Sequence, residues 1–306
     1  MKNYSKKAFS LIEISIVILI IGLLIAGVSK ATDMLADSKL KGARSISKGS
    51  VVSRLSSLVL WLDVAQSESW PDNKRASVQY TTSAFKDINP QTIPNNNFSF
   101  SGTYTYTENT GSSLPSLTVG SSDISGAETP FTSLFNLNGT TGYSFYVVAK
   151  QKASQPLVSF CSSVACANAG EKIIVEFDAS SNAKFTYPKT GSADQAINAT
   201  ASSSFDLAGE KIDIISGVVT ATNANVFSLG GNAGFPKGGG ATPTSTPVAP
   251  ATFAKGYFVL ESGAQLYEVI VVGEALDDAT RQKIEKYLFD KYGVPNDKRN
   301  VVAFTG

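Results

Sequence analysis

Residues 11–28 read LIEISIVILIIGLLIAGV, eighteen positions that carry one charge, Glu13. Counted from Phe9, the apolar stretch is twenty residues. As a helix it is about 30 Å long, the thickness of one bilayer core. The preceding segment, MKNYSKKA, holds Lys2, Lys6 and Lys7 and no acid. Positive charge ahead of an apolar run keeps that end in the cytoplasm and sends the rest across the membrane. A secretory signal would have a shorter apolar centre followed by a small-residue cleavage site. A helix buried in a soluble core would not need the lysine flank. A plain anchor remains open, with Glu13 tolerated near its end.

Past Lys30 the pattern turns amphipathic. Leu35, Leu40, Ala43, Ile46, Val51, Leu55 and Leu58 recur every three to five positions, with Lys39, Lys41, Arg44, Lys48 and Arg54 mostly between them. The spacing predicts one helix over 9–57, apolar in its first half and amphipathic in its second. Gly42 and Gly49 each cost about 1 kcal/mol relative to Ala and mark places where it can bend.

Composition narrows the chemistry. The chain of 306 residues has no histidine, which excludes His-based triads, His general bases and His-ligated metals. Basic and acidic residues nearly balance, 26 against 25, so no global field draws it to nucleic acid. Two cysteines exclude a disulfide-rich scaffold. Charged residues are only 17%. Ser, Thr, Asn and Gly fill the gap and favour strands and turns.

The stretch Lys6-Lys7-Ala8-Phe9-Ser10-Leu11-Ile12-Glu13, followed by the apolar run, resembles the type IV prepilin signature. That pattern is a short basic leader, a small residue, Phe, and Glu five positions into the mature chain. The resemblance covers roughly residues 1–55 and departs from the family at Ala8, where Gly is usual. It implies that prepilin peptidase cuts Ala8–Phe9 on the cytoplasmic side and methylates the new Phe9 amine. Losing 1–8 removes three lysines, leaving 23 basic against 25 acidic residues, a mature charge of −2. An acid at mid-helix costs about 2.5–3.5 kcal/mol to insert, and Glu13, nearer the end, costs less. Pairing with a neighbour's Phe9 amine offsets that cost and sets register between subunits, a known use of buried polar groups.

From Leu58 onward short β-rich runs alternate with turn residues. Strands are expected at Leu58–Leu62, Phe98–Tyr106, Tyr143–Ala149, Leu157–Phe160, Lys172–Phe177, Lys184–Tyr187, Lys211–Thr220, Asn225–Leu229, Gly256–Leu260 and Gln265–Val272. Such spacing suggests a β-sandwich or jelly roll. The Gly-, Pro- and Thr-rich segment from Gly234 to Lys255 reads as a loop. One helix follows the last strand, with Asp277 as N-cap, Asp278 in its first turn, Ile284, Tyr287, Leu288 and Tyr292 as its apolar face, and Gly293 as its cap.

The closing segment Leu266–Val294 resembles the end of concanavalin A-like (laminin-G-like) lectin/glucanase domains. The stretch Tyr287-Leu288-Phe289-Asp290-Lys291-Tyr292-Gly293 matches their Tyr-Leu-x-x-Lys-Tyr-Gly ending, with one extra residue. Leu58–Trp70 resembles their opening strand. The two ends bracket a domain whose first and last strands lie side by side, which lets a single helical stalk carry it. The fold class is therefore α+β: a long pilin-type helix, an all-β sandwich head and a C-terminal helix. The divisions are a leader at 1–8, a transmembrane and amphipathic helix at 9–57, a head at 58–295 and a tail at 296–306.

The head offers little catalytic chemistry. Glucanases of this fold place paired acids on one strand as Glu-x-Asp-x-x-Glu, where alternation points them into a cleft. Glu210 and Asp213 lack that spacing, and so does the stretch from Glu171 to Asp178. The protein is read as no enzyme. Calcium ligands could come from Asp87 and Asn89 or from Asp277 and Asp278, but neither forms a recognised loop, and no cofactor or metal is assigned. Trp70, Tyr80, Tyr104, Tyr106 and Tyr187 are the candidate glycan-contact aromatics, against the ordinary reading of strand aromatics as core. Trp61 reads as core. Cys161 and Cys166, beyond the inner membrane, are a candidate short-loop disulfide.

These observations point to a type IV pilus-like subunit, minor or adhesive, whose lectin-like head contacts glycans or a host or abiotic surface. Its partners would be other pilin subunits, prepilin peptidase and the inner membrane. The precursor would cross the inner membrane once with a periplasmic head, and the mature chain would enter a cell-surface filament. A type II secretion pseudopilin, in a periplasmic pseudopilus, shares the same N-terminus. A membrane-tethered carbohydrate-binding module would keep the leader uncut.

Overall fold

The computed structural model describes residues 11–69, 78–91, 98–107, 114–119, 124–129, 142–150, 156–161, 172–177, 183–188, 194–198, 212–220, 224–228, 237–241, 256–260, 263 and 265–293. The helix α1 runs Leu11–Gly49, 39 residues and about 58 Å long. It stops at Gly49 rather than at 57. A 3-10 turn follows at Val52–Arg54, and the apolar positions Val52 and Leu58 pack under the head instead of extending the stalk. Gly49, where a Cβ would meet nothing within 4 Å, ends the helix because glycine has the least helical preference short of proline.

Among the described residues the head has fifteen strands: β1 (Leu58–Asp63), β2 (Val78–Phe85), β3 (Phe98–Thr107), β4 (Ser116–Val119), β5 (Ile124–Thr129), β6 (Tyr143–Lys150), β7 (Pro156–Cys161) and β8 (Lys172–Phe177), then β9 (Ala183–Pro188), β10 (Asp194–Asn198), β11 (Ile212–Val219), β12 (Ala224–Ser228), β13 (Lys237–Ala241), β14 (Gly256–Leu260) and β15 (Gln265–Val272). They hydrogen-bond in the order β10-β9-β8-β7-β14-β5-β3-β4-β15-β6-β11-β12-β13, with β1 on β15 and β2 on β3. The path doubles back on itself. Phe145 of β6 and Phe185 of β9 are far apart along it, yet their rings are 4.5 Å apart, and β12 approaches β9 and β10. The result is a two-layered antiparallel sandwich, with a core that includes Tyr143, Phe145, Val147, Phe185, Val269 and Val271.

A second apolar layer lies on the outer face of β1, β6, β11 and β15, under the helix α2 (Asp278–Tyr292). Strand alternation supplies it: Tyr146 and Val148 point outward while Phe145 and Val147 point in. Asp277 caps α2, its carboxylate accepting the Thr280 N–H at 2.7 Å. Gly293 ends α2 with φ +62°, the left-handed conformation a C-cap needs. Ile284, Tyr287, Leu288 and Tyr292 are buried as the spacing predicted. Ile284 and Leu288 each contribute about 1.5–3 kcal/mol by leaving water.

Two further differences from the sequence reading concern strands. Lys237–Ala241 (KGGGA), expected inside a loop, is strand β13, paired antiparallel with β12. A glycine run can supply the backbone N–H and C=O groups that such a ladder needs. Strands β2, β4, β5 and β10 fall outside the expected set; they are polar or short and are held by their pairing with β3, β15, β14 and β9.

Candidate functional site: the junction of stalk and head

The first half of α1 is exposed along its length. Leu11, Leu19, Leu23 and Val28 are all more than half exposed, and the helix is long and apolar enough to cross a membrane. Glu13 sits in its first turn, exposed. Ala8 and Phe9 lie outside the described residues.

The second half docks on the head. Ala43 and Ser47, one turn apart, are buried. The Arg44 Nε–H donates to the Ala65 carbonyl at 2.7 Å, and the Gln66 side-chain amide donates to the Arg44 carbonyl at 3.3 Å. Lys48 and Glu68 pair at 2.9 Å with both side chains exposed. That pair adds little to stability, although its hydrogen bond holds the Glu68 carboxyl below its usual range.

Beneath this contact is a buried charged cluster. Lys291, on the last turn of α2, points Nζ at Asp63 Oδ2 (2.6 Å) and Glu268 Oε2 (2.7 Å), and all three side chains are 0% exposed. The Ser47 hydroxyl donates to Asp63 Oδ2 at 3.0 Å, and the Ala65 N–H donates to Asp63 Oδ1 at 2.9 Å. Glu268 Oε1 accepts from the Trp61 indole N–H (2.7 Å) and the Tyr287 hydroxyl (2.6 Å), and Oε2 accepts from the Tyr292 hydroxyl (2.8 Å). The Lys291 ammonium lies over the Tyr292 ring, 5.0 Å from its centroid. Burial pushes the Glu268 carboxyl up, against the pull of Lys291. It pushes the Tyr287 and Tyr292 hydroxyls well up, with the Glu268 charge adding to it.

Strand geometry explains the meeting. Asp63 and Glu268 are register partners on β1 and β15. Asp63 follows Trp61 on the outer face by alternation. On β15 the register shifts between Leu266 and Glu268. This bulge places Tyr267 and Glu268 together on the helix-covered face, since a bulge re-aims the side chain beside it. Lys291 lies four residues after Tyr287, on the same face of α2.

The other expected site residues fall elsewhere. Tyr106 and Tyr187 are buried core side chains, not surface aromatics. Tyr187 stacks on Phe185 at 5.5 Å, and burial lifts its hydroxyl to about 12. Tyr80 and Tyr104 are register partners on β2 and β3; their side chains, and Trp70, lie outside the described residues. Asp87 and Asn89 are not free to ligate a cation as a pair. Asp87 Oδ1 accepts from the N–H groups of Trp61 and Asn89, and Asn89 donates to the Leu58 carbonyl. Asp277 caps α2, and Asp278 pairs with Arg281 at 3.1 Å. Asp213 is buried in β11, and Glu210 lies outside the described residues. Trp61 is core, as expected. Cys161 is buried and disulfide-bonded; Cys166 lies outside the described residues.

The sequence reading missed Asp63, Glu268 and Lys291 as a group. The signal was present: a lone acid inside each of two apolar strands, and a lysine among the apolar positions of α2. Charges so placed must find one another.

A long, exposed apolar helix locked to a β-sandwich head is the class the structure defines. Residues 3–29 match the family described as the prokaryotic N-terminal methylation motif. No curated protein matches the chain. Among solved structures, the chain is similar to domain 4 of an extracellular arabinanase from Geobacillus stearothermophilus, in complex with arabinotriose (13% identity, 74% of this chain and 97% of that one, TM-score 0.43). It is also similar to the CBM40 of a Ruminococcus gnavus IT-sialidase bound to α2,3-sialyllactose (9% identity, 46% and 80%, TM-score 0.35). A third similar structure is the Botulinum neurotoxin serotype D binding domain (10% identity, 76% and 51%, TM-score 0.44).

Proposed function

We propose that the protein is a structural subunit of a type IV pilus-like filament, in a minor or adhesive position, acting by assembly and not by catalysis. The carrying observation is the methylation motif at residues 3–29 on a helix whose apolar half is exposed. Prepilin peptidase removes 1–8, and Phe9 becomes the methylated N-terminus. The inner membrane holds the precursor through α1, with the head in the periplasm. Assembly then moves that apolar surface from lipid into contact with neighbouring subunits, while Glu13 pairs with a neighbour's Phe9 amine. The head contacts glycans or another surface. The resemblance of its opening and closing segments to lectin-type domains supports this reading, and Trp70, Tyr80 and Tyr104 are the aromatics left to carry it.

The test is mass spectrometry of the N-terminus in sheared-surface and membrane fractions. A chain beginning at N-methylated Phe9 in the sheared fraction is expected. The same mature chain confined to membranes would replace the pilus with a secretion pseudopilus. An intact Met1 in every fraction would overturn filament assembly and leave a tethered binding module.

A further inference from the structure

We propose that Lys291 and Asp63 become joined by an amide bond within the chain, with Glu268 carrying the proton that the condensation moves. Three observations converge on this. The ammonium and the Asp63 carboxylate are held at 2.6 Å with neither side chain exposed, so the reacting groups are positioned before reaction and bulk water is excluded. A second carboxylate, Glu268, touches the same nitrogen at 2.7 Å. It is held from three other directions by Trp61, Tyr287 and Tyr292. Finally, two donors already sit on Asp63, the Ala65 N–H on Oδ1 and the Ser47 hydroxyl on Oδ2. The Ala65 N–H is placed to stabilise the negative charge that collects on Oδ1 as the carboxyl carbon becomes tetrahedral, while Ser47 holds the oxygen that departs.

The chemistry balances without a co-reactant. Lys291 Nζ gives one proton to Asp63 Oδ2, and the neutral amine attacks Asp63 Cγ. Glu268 takes a second proton from the nitrogen and returns it to the departing Oδ2. The N–Cγ bond forms, the Cγ–Oδ2 bond breaks, and one water leaves with Oδ2 and two protons from the former ammonium. Glu268 ends as it began. One positive charge beside two carboxylates leaves the dry cluster with an excess negative charge, and burial favours a proton on Glu268. A carboxylate whose hold on a proton is strengthened in this way is suited to take one from the nitrogen. Condensation also replaces a buried ion pair, whose desolvation opposes folding, with a neutral amide. The bond would fasten α2 to the strand that directly follows the stalk. It does not depend on the filament reading.

The experiment is tryptic peptide mapping of the full-length, disulfide-reduced protein purified from membranes. Trypsin does not cut after an acylated lysine. The expected product is Leu55–Lys74 joined to Tyr287–Lys298 at a combined mass short by one water, with no free Tyr287–Lys291. Recovery of free Tyr287–Lys291 as the bulk product would overturn the proposal. A link from Lys291 to the peptide bearing Glu268 would overturn the assignment of Asp63 as acceptor. Glu268→Gln should release Tyr287–Lys291 in a chain that still folds by circular dichroism, and persistence of the link in that variant would overturn the proton-carrying role. The unmodified protein decides the main point even if the variant fails to fold.

Discussion

Arg281→Met tests how α2 is held on the sandwich. The Arg281 guanidinium meets Glu285 Oε1 at 2.5 Å, with the two side chains 5% and 7% exposed. Glu285 also accepts from the Ser216 hydroxyl of β11 at 2.9 Å. Methionine fills much of the same space but leaves Glu285 buried with its charge uncompensated. Breaking a buried pair from one side costs about 3–5 kcal/mol; the exposed Asp278 arm adds little. For a head of this size that lowers Tm by about 6–20 °C near neutral pH. The pH dependence has a definite sign. Burial raises the Glu285 carboxyl above its ordinary 4.5, and Arg281 opposes the rise. A raised carboxyl stabilises the fold below its unfolded value, and that contribution is lost as pH climbs through the folded value. Without Arg281 the folded value rises further, so the deficit against the parent is smallest in acid and widens as pH climbs above the ordinary 4.5. Thermal unfolding of the full chain in detergent, followed by circular dichroism from about pH 4 to about pH 8, reads this out. Adding Glu285→Gln to the variant should restore most of the loss, because a neutral amide can keep the Ser216 contact. An equal deficit at both ends of the pH range, or no recovery in the double variant, would refute the reasoning.

Other outcomes follow from single residues. Glu13→Ala should leave membrane insertion intact and cut filament yield in the sheared fraction; a normal yield would remove the register role of Glu13. Asp277→Ala deletes the cap on Thr280 and should lower Tm by about 2–4 °C. That difference should shrink in acid, because the Thr280 N–H holds the Asp277 carboxyl below its ordinary 3.8 and its contribution is lost as pH falls through the lowered value. Gly217 on β11 is crossed by the Phe145 ring, whose Cε1 lies 2.1 Å from where a Cβ would stand. Gly217→Val should therefore lower Tm by about 2–12 °C, as overpacking a core by about 1–3 kcal/mol does.

Much of the architecture was legible because local chemistry and burial agreed. Strands β8, β14 and β15 fall on their expected bounds, and α2 starts and stops at its expected caps. The parts that were not legible depended on a pairing partner and not on their own composition. Residues 78–85 and 237–241 are strands because β3 and β12 offer open edges, and nothing in VQYTTSAF or KGGGA names those edges. Tyr106 and Tyr187, candidates for glycan contact against the ordinary core reading of strand aromatics, take the core reading once the second sheet layer is in place. The charged cluster was half legible. Its residues stood out as polar breaks in apolar runs, and alternation with Ile270 and Val272 turns Glu268 to the helix-covered face, but it would have turned Tyr267 into the sandwich core. The bulge between Leu266 and Glu268 brings Tyr267 to the same face, and a bulge has no clear signature in LYEVIVV.

The junction also determines what the stalk can transmit. Gly49 and the 3-10 turn look like a hinge, and a chain broken there would let the head swing freely. The side chains one to two turns earlier prevent it. Arg44 holds the Ala65 carbonyl, and Ser47 reaches through to Asp63 within hydrogen-bond distance of Tyr287. The docked half of α1 therefore moves with β1 and α2 as one body, and the direction of the apolar half fixes where the head points. Ser47→Val isolates that coupling. It removes one donor from a buried carboxylate, at about 1–3 kcal/mol, without touching the sandwich interior. Hydrogen exchange should then quicken along residues 43–66 while the strands β6 and β11 keep their protection. Uniform loss of protection would mean that Ser47 supports the whole fold. No change at all would mean that the stalk is held to the head by apolar packing alone, and the polar lock would lose its role in orienting it.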